Sequence, residues 1–310
     1  MTNAIHFPKL SEETLVKRLA HPSGKIRMVL DTDTFNEIDD QFAVIYSLLS
    51  PEKMEVEAIY AAPFFNEKST GPKDGMEKSY HEILKIRRLM NREELPVFRG
   101  SETYLPDAHT PVDSEAARDI VKRAMSSDID DPLYVVAIGA ITNVASAILL
   151  EPRIIERIVV VWLGGHALEW GDTREFNLFQ DLHGSRLILD CGLPLVLLPC
   201  MGVSSNLRTT LSEVRDYVQP QGAVGQYLYE TYFNCREDHF AYSRVIWDIA
   251  VIAWLNGPQW APSQLIQSPH ISGDFRWSPD PSRHLIRYVR YIDRDAVFND
   301  LFHKLSAVKS

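Results

Sequence analysis

The chain has 310 residues, 45% of them apolar, enough to build one large α/β domain around a buried core. Its formal net charge is −10 and no Lys/Arg block interrupts that balance. A grip on phosphate backbones needs a basic face, so no nucleic-acid partner is expected, and no run nears the roughly 18 apolar residues of a membrane span.

From the N-terminus, MTNAIHFPKLSEETLVKRLA carries no apolar leader core, and Ser11 caps a predicted helix over 11–20. With three cysteines (Cys191, Cys200, Cys235), no CxxC and an odd count, the chain fits neither a disulfide framework nor a zinc site, and a cytoplasmic location is expected. Short apolar runs follow at Ile26–Leu30, Val56–Tyr60, Val97–Phe98, Tyr134–Ile138, Ile158–Leu163 and Leu195–Leu198. Helix-like segments lie between them, among them Gln41–Leu49, Lys78–Leu89 and Asn143–Leu150. That alternation predicts an open, mostly parallel sheet with helices on both faces, in a single domain over 1–310 with a mainly helical segment at about 204–260. A strand at Leu285–Tyr291 and a terminal helix close the chain. In such sheets the ligand sits beyond the carboxyl ends of the strands.

The first strand ends in the most informative segment, Asp31-Thr32-Asp33-Thr34-Phe35-Asn36-Glu37-Ile38-Asp39-Asp40, with five acids in ten residues. A helix dipole favours each nearby carboxylate by only about 0.3–1 kcal/mol. Two carboxylates about 4 Å apart repel by roughly 4 kcal/mol at an effective dielectric of about 20. No Lys or Arg lies in the segment, so a divalent cation is the economical partner, and all-oxygen ligation favours calcium or magnesium. The plain alternative is a solvated acidic loop capping a helix. An EF-hand register counted from Asp31 fails, because Phe35 and Asn36 occupy its fifth and sixth positions. A haloacid-dehalogenase-type phosphatase also places two alternating Asp after its first strand, with Asp31 as nucleophile and magnesium as cofactor, but its following Thr would fall at Phe35. Far downstream, the apolar run Val245–Leu255 reads as a helix with Asp248 inside it. A buried carboxylate needs a partner: Arg244 one turn back, or a cation.

These residues resemble the inosine–uridine-preferring nucleoside hydrolases. The similarity rests on the Asp-x-Asp strand end followed by Asp39-Asp40, on Ile141-Thr142-Asn143-Val144-Ala145, on Glu175-Phe176-Asn177, and on Asp248, in that order. It implies calcium bound by Asp33, Asp40, Asp248 and the backbone carbonyl of Thr142, with Asp33 also the general base toward the attacking water. It further implies that Asp39, Glu175 and Asn177 hold sugar hydroxyls, that Asn66 stands near the sugar, that the ligand is a small nucleoside or riboside, and that the chain forms a homo-oligomer, a dimer or tetramer. Cleavage of an N-glycosidic bond passes through an oxocarbenium-like sugar, which an anionic pocket stabilises.

The sequence departs from the family at three places. The loop Thr34–Ile38 is two residues longer, which either reshapes the metal loop or brings Asn36 or Glu37 toward the ligand. Trp247 stands where the best-known members carry a His that protonates the leaving base, and it can stack on a base instead. Trp170, His239 and Tyr242 match nothing in the family, and His239 is the nearest substitute acid. Gly164-Gly165-His166 reads as a tight turn or an approach to the ligand, and Cys200-Met201-Gly202 as core and turn. The expected activity is calcium-dependent hydrolysis of a riboside N-glycosidic bond. The alternatives are the magnesium-dependent aspartyl-phosphate phosphatase and a calcium-dependent nucleoside or ribose binder without turnover.

Overall fold

The computed structural model describes residues 5–307. Residues 1–4 and 308–310, the two ends of the expected 1–310 domain, lie outside the described residues. Among the described residues, twelve strands form: β1 Ile26–Thr32, β2 Met54–Ala61, β3 Val97–Arg99, β4 Leu133–Ala137, β5 Ile158–Leu163, β6 Leu195–Leu198, β7 Arg208–Thr210, β8 Ser243–Val245, β9 Ser263–Gln267, β10 His270–Ile271, β11 Trp277–Ser278 and β12 Leu285–Val289. Eight of them build one sheet in the order β3-β2-β1-β4-β5-β6-β12-β9, parallel except for β9 against β12.

The helices are α1 Glu12–Leu19, α2 Asp40–Leu48, α3 Pro72–Leu89, α4 Glu115–Ser126, α5 Thr142–Leu150, α6 Phe176–Gln180, α7 Leu182–Asp190, α8 Leu211–Glu213, α9 Gly222–Phe233, α10 Ile249–Asn256 and α11 Arg294–Ser306. Helices cover both sheet faces, so strand residues alternate between two cores. Met28, Leu30, Val136 and Val161 pack with α2 and α10 on one side, while Val29, Val135 and Val160 pack with α4 and α5 on the other. This two-sided burial explains why β4 and β5 read as unbroken apolar runs. Among the described residues, no helix is long and apolar enough to cross a membrane.

The segment expected to be mainly helical at 204–260 holds α8, a π-helical turn at Val214–Val218, α9 and α10, together with the antiparallel ladder of β7 and β8. That ladder corrects one expectation. The run from Val245 is not one helix with Asp248 inside it; β8 ends at Val245 and α10 begins at Ile249, so Asp248 is its N-terminal flanking residue. The reason lies in the backbone donors. The Ile246 N–H bonds the Leu207 carbonyl and the Trp247 N–H bonds the Asp39 carboxylate, so these donors are spent outside a helix and the chain passes through a turn at Trp247 and Asp248 before α10.

The strand order reverses between β1 and β4. The chain runs outward from β1 through β2 to β3, then returns to β1's other side at β4. The loops after β1 and β4 therefore diverge and open a crevice at the carboxyl edge.

Candidate active site

Into that crevice β1 delivers Asp33 and the loop that ends at Asp39 and Asp40. The loop after β5 delivers His166, Arg174, Glu175 and Asn177, the loop after β6 delivers Cys200 and Met201, and the start of α10 delivers Trp247 and Asp248. All of these line one cavity of about 250 Å³. Close approach of backbones is required here. A Cβ at Gly139, just past β4, would lie 3.2 Å from the Asp33 carboxyl carbon and 3.0 Å from the Ala62 Cβ.

Asp39, Asp40 and Asp248 each present a carboxylate oxygen within 4.8 Å of the others, and all three are buried. Asp33, also buried, joins them electrostatically: burial and the charges of Asp40 and Asp39 push its carboxyl far above the ordinary range. Burial and mutual repulsion raise Asp40 and Asp248 in the same way, and Asp39 rises to about 6, chiefly through burial. The Thr32 hydroxyl donates to Asp40 and the Trp247 N–H to Asp39 Oδ2 (3.0 Å). Asp33 Oδ2 and Asp39 Oδ1 are buried with no hydrogen-bond donor. Unpartnered oxygens of crowded, desolvated carboxylates are what an oxygen-liganded divalent cation and sugar hydroxyls would satisfy, so the donor set fits calcium. Arg244 does not pair with Asp248; its guanidinium takes Glu37 instead, at 2.6 Å.

Glu175 caps α6. Its carboxylate accepts the N–H groups of Asn177 (2.9 Å), Leu178 (3.0 Å) and Gly165 (2.9 Å). Gly165 reaches it with a φ of +70°, a left-handed conformation that suits glycine, and a Cβ there would also strike the Thr173 hydroxyl. Burial outweighs these donors and raises Glu175 to about 7. The Asn177 amide donates to the Leu163 carbonyl (3.1 Å), which fixes its orientation.

Several expected residues stand elsewhere. Thr142 opens α5 fully buried and its hydroxyl donates to Asp181 (2.6 Å), so any role at the cation falls to its backbone. Asn66 does not line this cavity; it lines an adjoining chamber and donates to Asn36 Oδ1 (2.6 Å). His239 lines neither space. Its ring sits among Tyr232, Phe233 and Tyr242, with Nε2 against the Phe233 carbonyl (3.0 Å), so this conformation does not offer it as the leaving-group acid. Asp31, the nucleophile of the phosphatase reading, is buried behind the cavity with Oδ1 held by the Asn143 amide (2.7 Å). Conversely, Cys200 and Met201, read as core and turn, are cavity wall, as are Arg174, His166, Asn36 and Glu37. Their common signal was position: each follows a strand end or belongs to the lengthened loop.

Comparison with known proteins agrees with this arrangement. The pattern of the inosine-uridine preferring nucleoside hydrolase family matches residues 28–298. The pyrimidine-specific ribonucleoside hydrolase RihA of Klebsiella pneumoniae (strain 342) is 25% identical over 260 residues, spanning 75% of this chain and 80% of that protein. Among solved structures, the plant nucleoside hydrolase PpNRh1 superposes with a TM-score of 0.73 over 92% of this chain and 100% of that one, at 18% identity. The purine-preferring ribonucleoside hydrolase from Gardnerella vaginalis gives 0.74 over 91% and 98%, again at 18% identity. The two superpositions speak for the fold, and the family match covers every residue of the acidic site from Asp33 to Asp248. The chain belongs to the inosine-uridine preferring nucleoside hydrolase family and is an N-glycosyl hydrolase acting on ribonucleosides.

Proposed function

We propose that the chain hydrolyses its riboside with calcium held by Asp33, Asp40, Asp248 and the Thr142 carbonyl, and with Asp33 as general base. The observation that carries this reading is the convergence of buried carboxylates from the loop after β1 and the start of α10, with the nearby guanidinium of Arg244 engaged by Glu37. Calcium bound there would lower the pKa of a water and grip the sugar diol. Asp33 takes the proton of the attacking water through its unpartnered Oδ2. Asp39, anchored by the Trp247 N–H through one oxygen, keeps the other for a sugar hydroxyl. Glu175 and Asn177, each oriented by backbone contacts, close the sugar's opposite side. The ring of anions stabilises the oxocarbenium-like sugar as the glycosidic bond stretches.

The buried carboxyls predict how stability follows pH. Asp31 and Glu175 are raised to about 7 and Asp39 to about 6, chiefly by burial. An acid whose native pKa exceeds its unfolded value favours the folded chain at low pH, and that advantage is lost as pH rises through the native pKa. The metal-free chain should therefore melt higher at about pH 5.5 than at about pH 8. Calcium, which needs deprotonated ligands, should restore more stability at the higher pH, roughly 5–10 °C at a thousandfold excess over Kd. Calorimetry at both pH values checks this; a metal-free chain that melts higher at pH 8, or a calcium shift larger at pH 5.5, would contradict it.

We further infer a homo-oligomer, dimer or tetramer, working in the cytoplasm on small nucleosides. The free cysteines, two of them buried, support a reducing compartment. Light scattering tests the assembly, and a mass of one chain would refute it.

A further inference from the structure

The sugar cavity is lined by charges of both signs. Six acids wall it, and the one Lys or Arg side chain among its lining residues is Arg174. Arg174 is exposed, and among the described residues its guanidinium has no ion pair and no hydrogen-bond acceptor. It is held in place all the same. The guanidinium lies 4.7 Å over the Phe275 ring, and the backbone N–H donates to Asp172 Oδ1 (2.9 Å). His166, half-buried, lines the same cavity. Its backbone N–H donates to Oγ1 of Thr173 (3.0 Å), the residue before Arg174, which ties the two stretches of chain together. Burial lowers the pKa of the His166 ring. In the neutral ring, the Met201 N–H on Nδ1 (3.3 Å) puts the hydrogen on Nε2, which has no partner among the described residues. Two donors without acceptors, in a cavity whose other charged residues are acids, match an anion carried by the substrate.

On the reading of the chain as a riboside hydrolase, the sugar says where that anion would be. The cation and Asp39 take the 2′,3′ diol and the base leaves from C1′. The 5′ end is left for the side closed by Glu175 and Asn177, and Arg174 directly precedes Glu175. We propose that Arg174 and His166 bind a 5′-phosphate, which adds 5′-phosphorylated ribonucleosides to the substrates of this site. A planar guanidinium pairs with two phosphate oxygens, and an imidazole N–H can serve a third. Both Glu175 oxygens already accept backbone N–H groups, which offset its charge on that side. The bond broken is the same as in a plain riboside. The C1′–N electron pair leaves with the base and water oxygen bonds to C1′. Asp33 takes the water's proton and passes it to solvent, and the base takes one up from there. The phosphate ester stays intact, so the products are ribose 5-phosphate and free base.

Inosine and its 5′-monophosphate, each incubated with the chain and calcium, test the assignment, with the base followed by absorbance and the sugar by mass spectrometry. The monophosphate should yield ribose 5-phosphate with a kcat/KM above that of inosine. Arg174→Met should lower the monophosphate-to-inosine ratio of kcat/KM by about 10- to 100-fold, the scale of hydrogen bonds to a charged group, and mainly through KM. Arg174→Lys keeps the charge without the fork and should fall between the two. Ribose 5-phosphate should inhibit inosine hydrolysis at lower concentration than ribose, an advantage that Arg174→Met removes. Inosine cleaved while its monophosphate stays intact, or a ratio that Arg174→Met does not move, would overturn the proposal and leave Arg174 a solvated side chain braced on Phe275. Failure of the hydrolase reading looks different: neither substrate would then release its base.

Discussion

Asp248→Ala should erase the calcium-dependent rise in melting temperature and lower kcat/KM by at least about 10³-fold, some 4 kcal/mol of transition-state stabilisation. The expectation follows from where Asp248 sits. It flanks the start of α10, buried, with its carboxylate against Asp39 and Asp40. Removing it takes away one of three converging anionic ligands. It also relieves repulsion among carboxylates whose protonation burial already favours. The metal-free variant should thus melt no lower than metal-free wild type. Loss of activity with loss of the calcium shift, on an intact fold, separates a ligand from a packing residue. A variant that keeps the full shift would place the cation elsewhere.

Wild-type protein should cleave p-nitrophenyl riboside about 10²-fold faster than inosine or more. General acid catalysis is typically worth about 10² to 10⁴ in rate, and no ionisable acid stands at Trp247. Trp247 lines the cavity with its backbone N–H on Asp39, and an indole can stack on a base but has no proton to transfer to it at neutral pH. His239→Ala should leave the inosine rate unchanged, because that ring is held outside both chambers. Inosine turnover as fast as that of the activated riboside, lowered selectively by His239→Ala, would mean that the segment around His239 brings its imidazole to the base during turnover.

Much of this was legible in the chain. The parallel strands were readable because helices cover both faces and force unbroken apolar runs, and the acidic cluster because five acids fall within ten residues at the end of an apolar strand with no Lys or Arg beside them. The polar edge strand β9, Ser-Gln-Leu-Ile-Gln, is largely exposed and carries no apolar signature. The β7–β8 ladder joins three-residue strands from distant segments, and only the backbone donors of Ile246 and Trp247 reveal why α10 starts late. α3 begins at Pro72, ahead of the helix read from Lys78, because a proline needs no intrahelical partner at a helix's first turn. At the site, residues with paired chemistry could be found in sequence. Cys200, Met201 and Arg174 could not, since what makes them wall is the reversal of strand order between β1 and β4, a property of the whole sheet.

The central claim, a calcium-dependent riboside hydrolase centred on Asp33, Asp40 and Asp248, meets its most direct test in release of free ribose by the purified wild-type chain. Inosine, uridine and p-nitrophenyl riboside would be incubated with calcium, with chelator, and with chelator followed by excess calcium. The account predicts reducing sugar in the first sample, its loss in the second and its return in the third. Ribose release that chelator leaves untouched, or calcium and riboside binding with no ribose released, would contradict it.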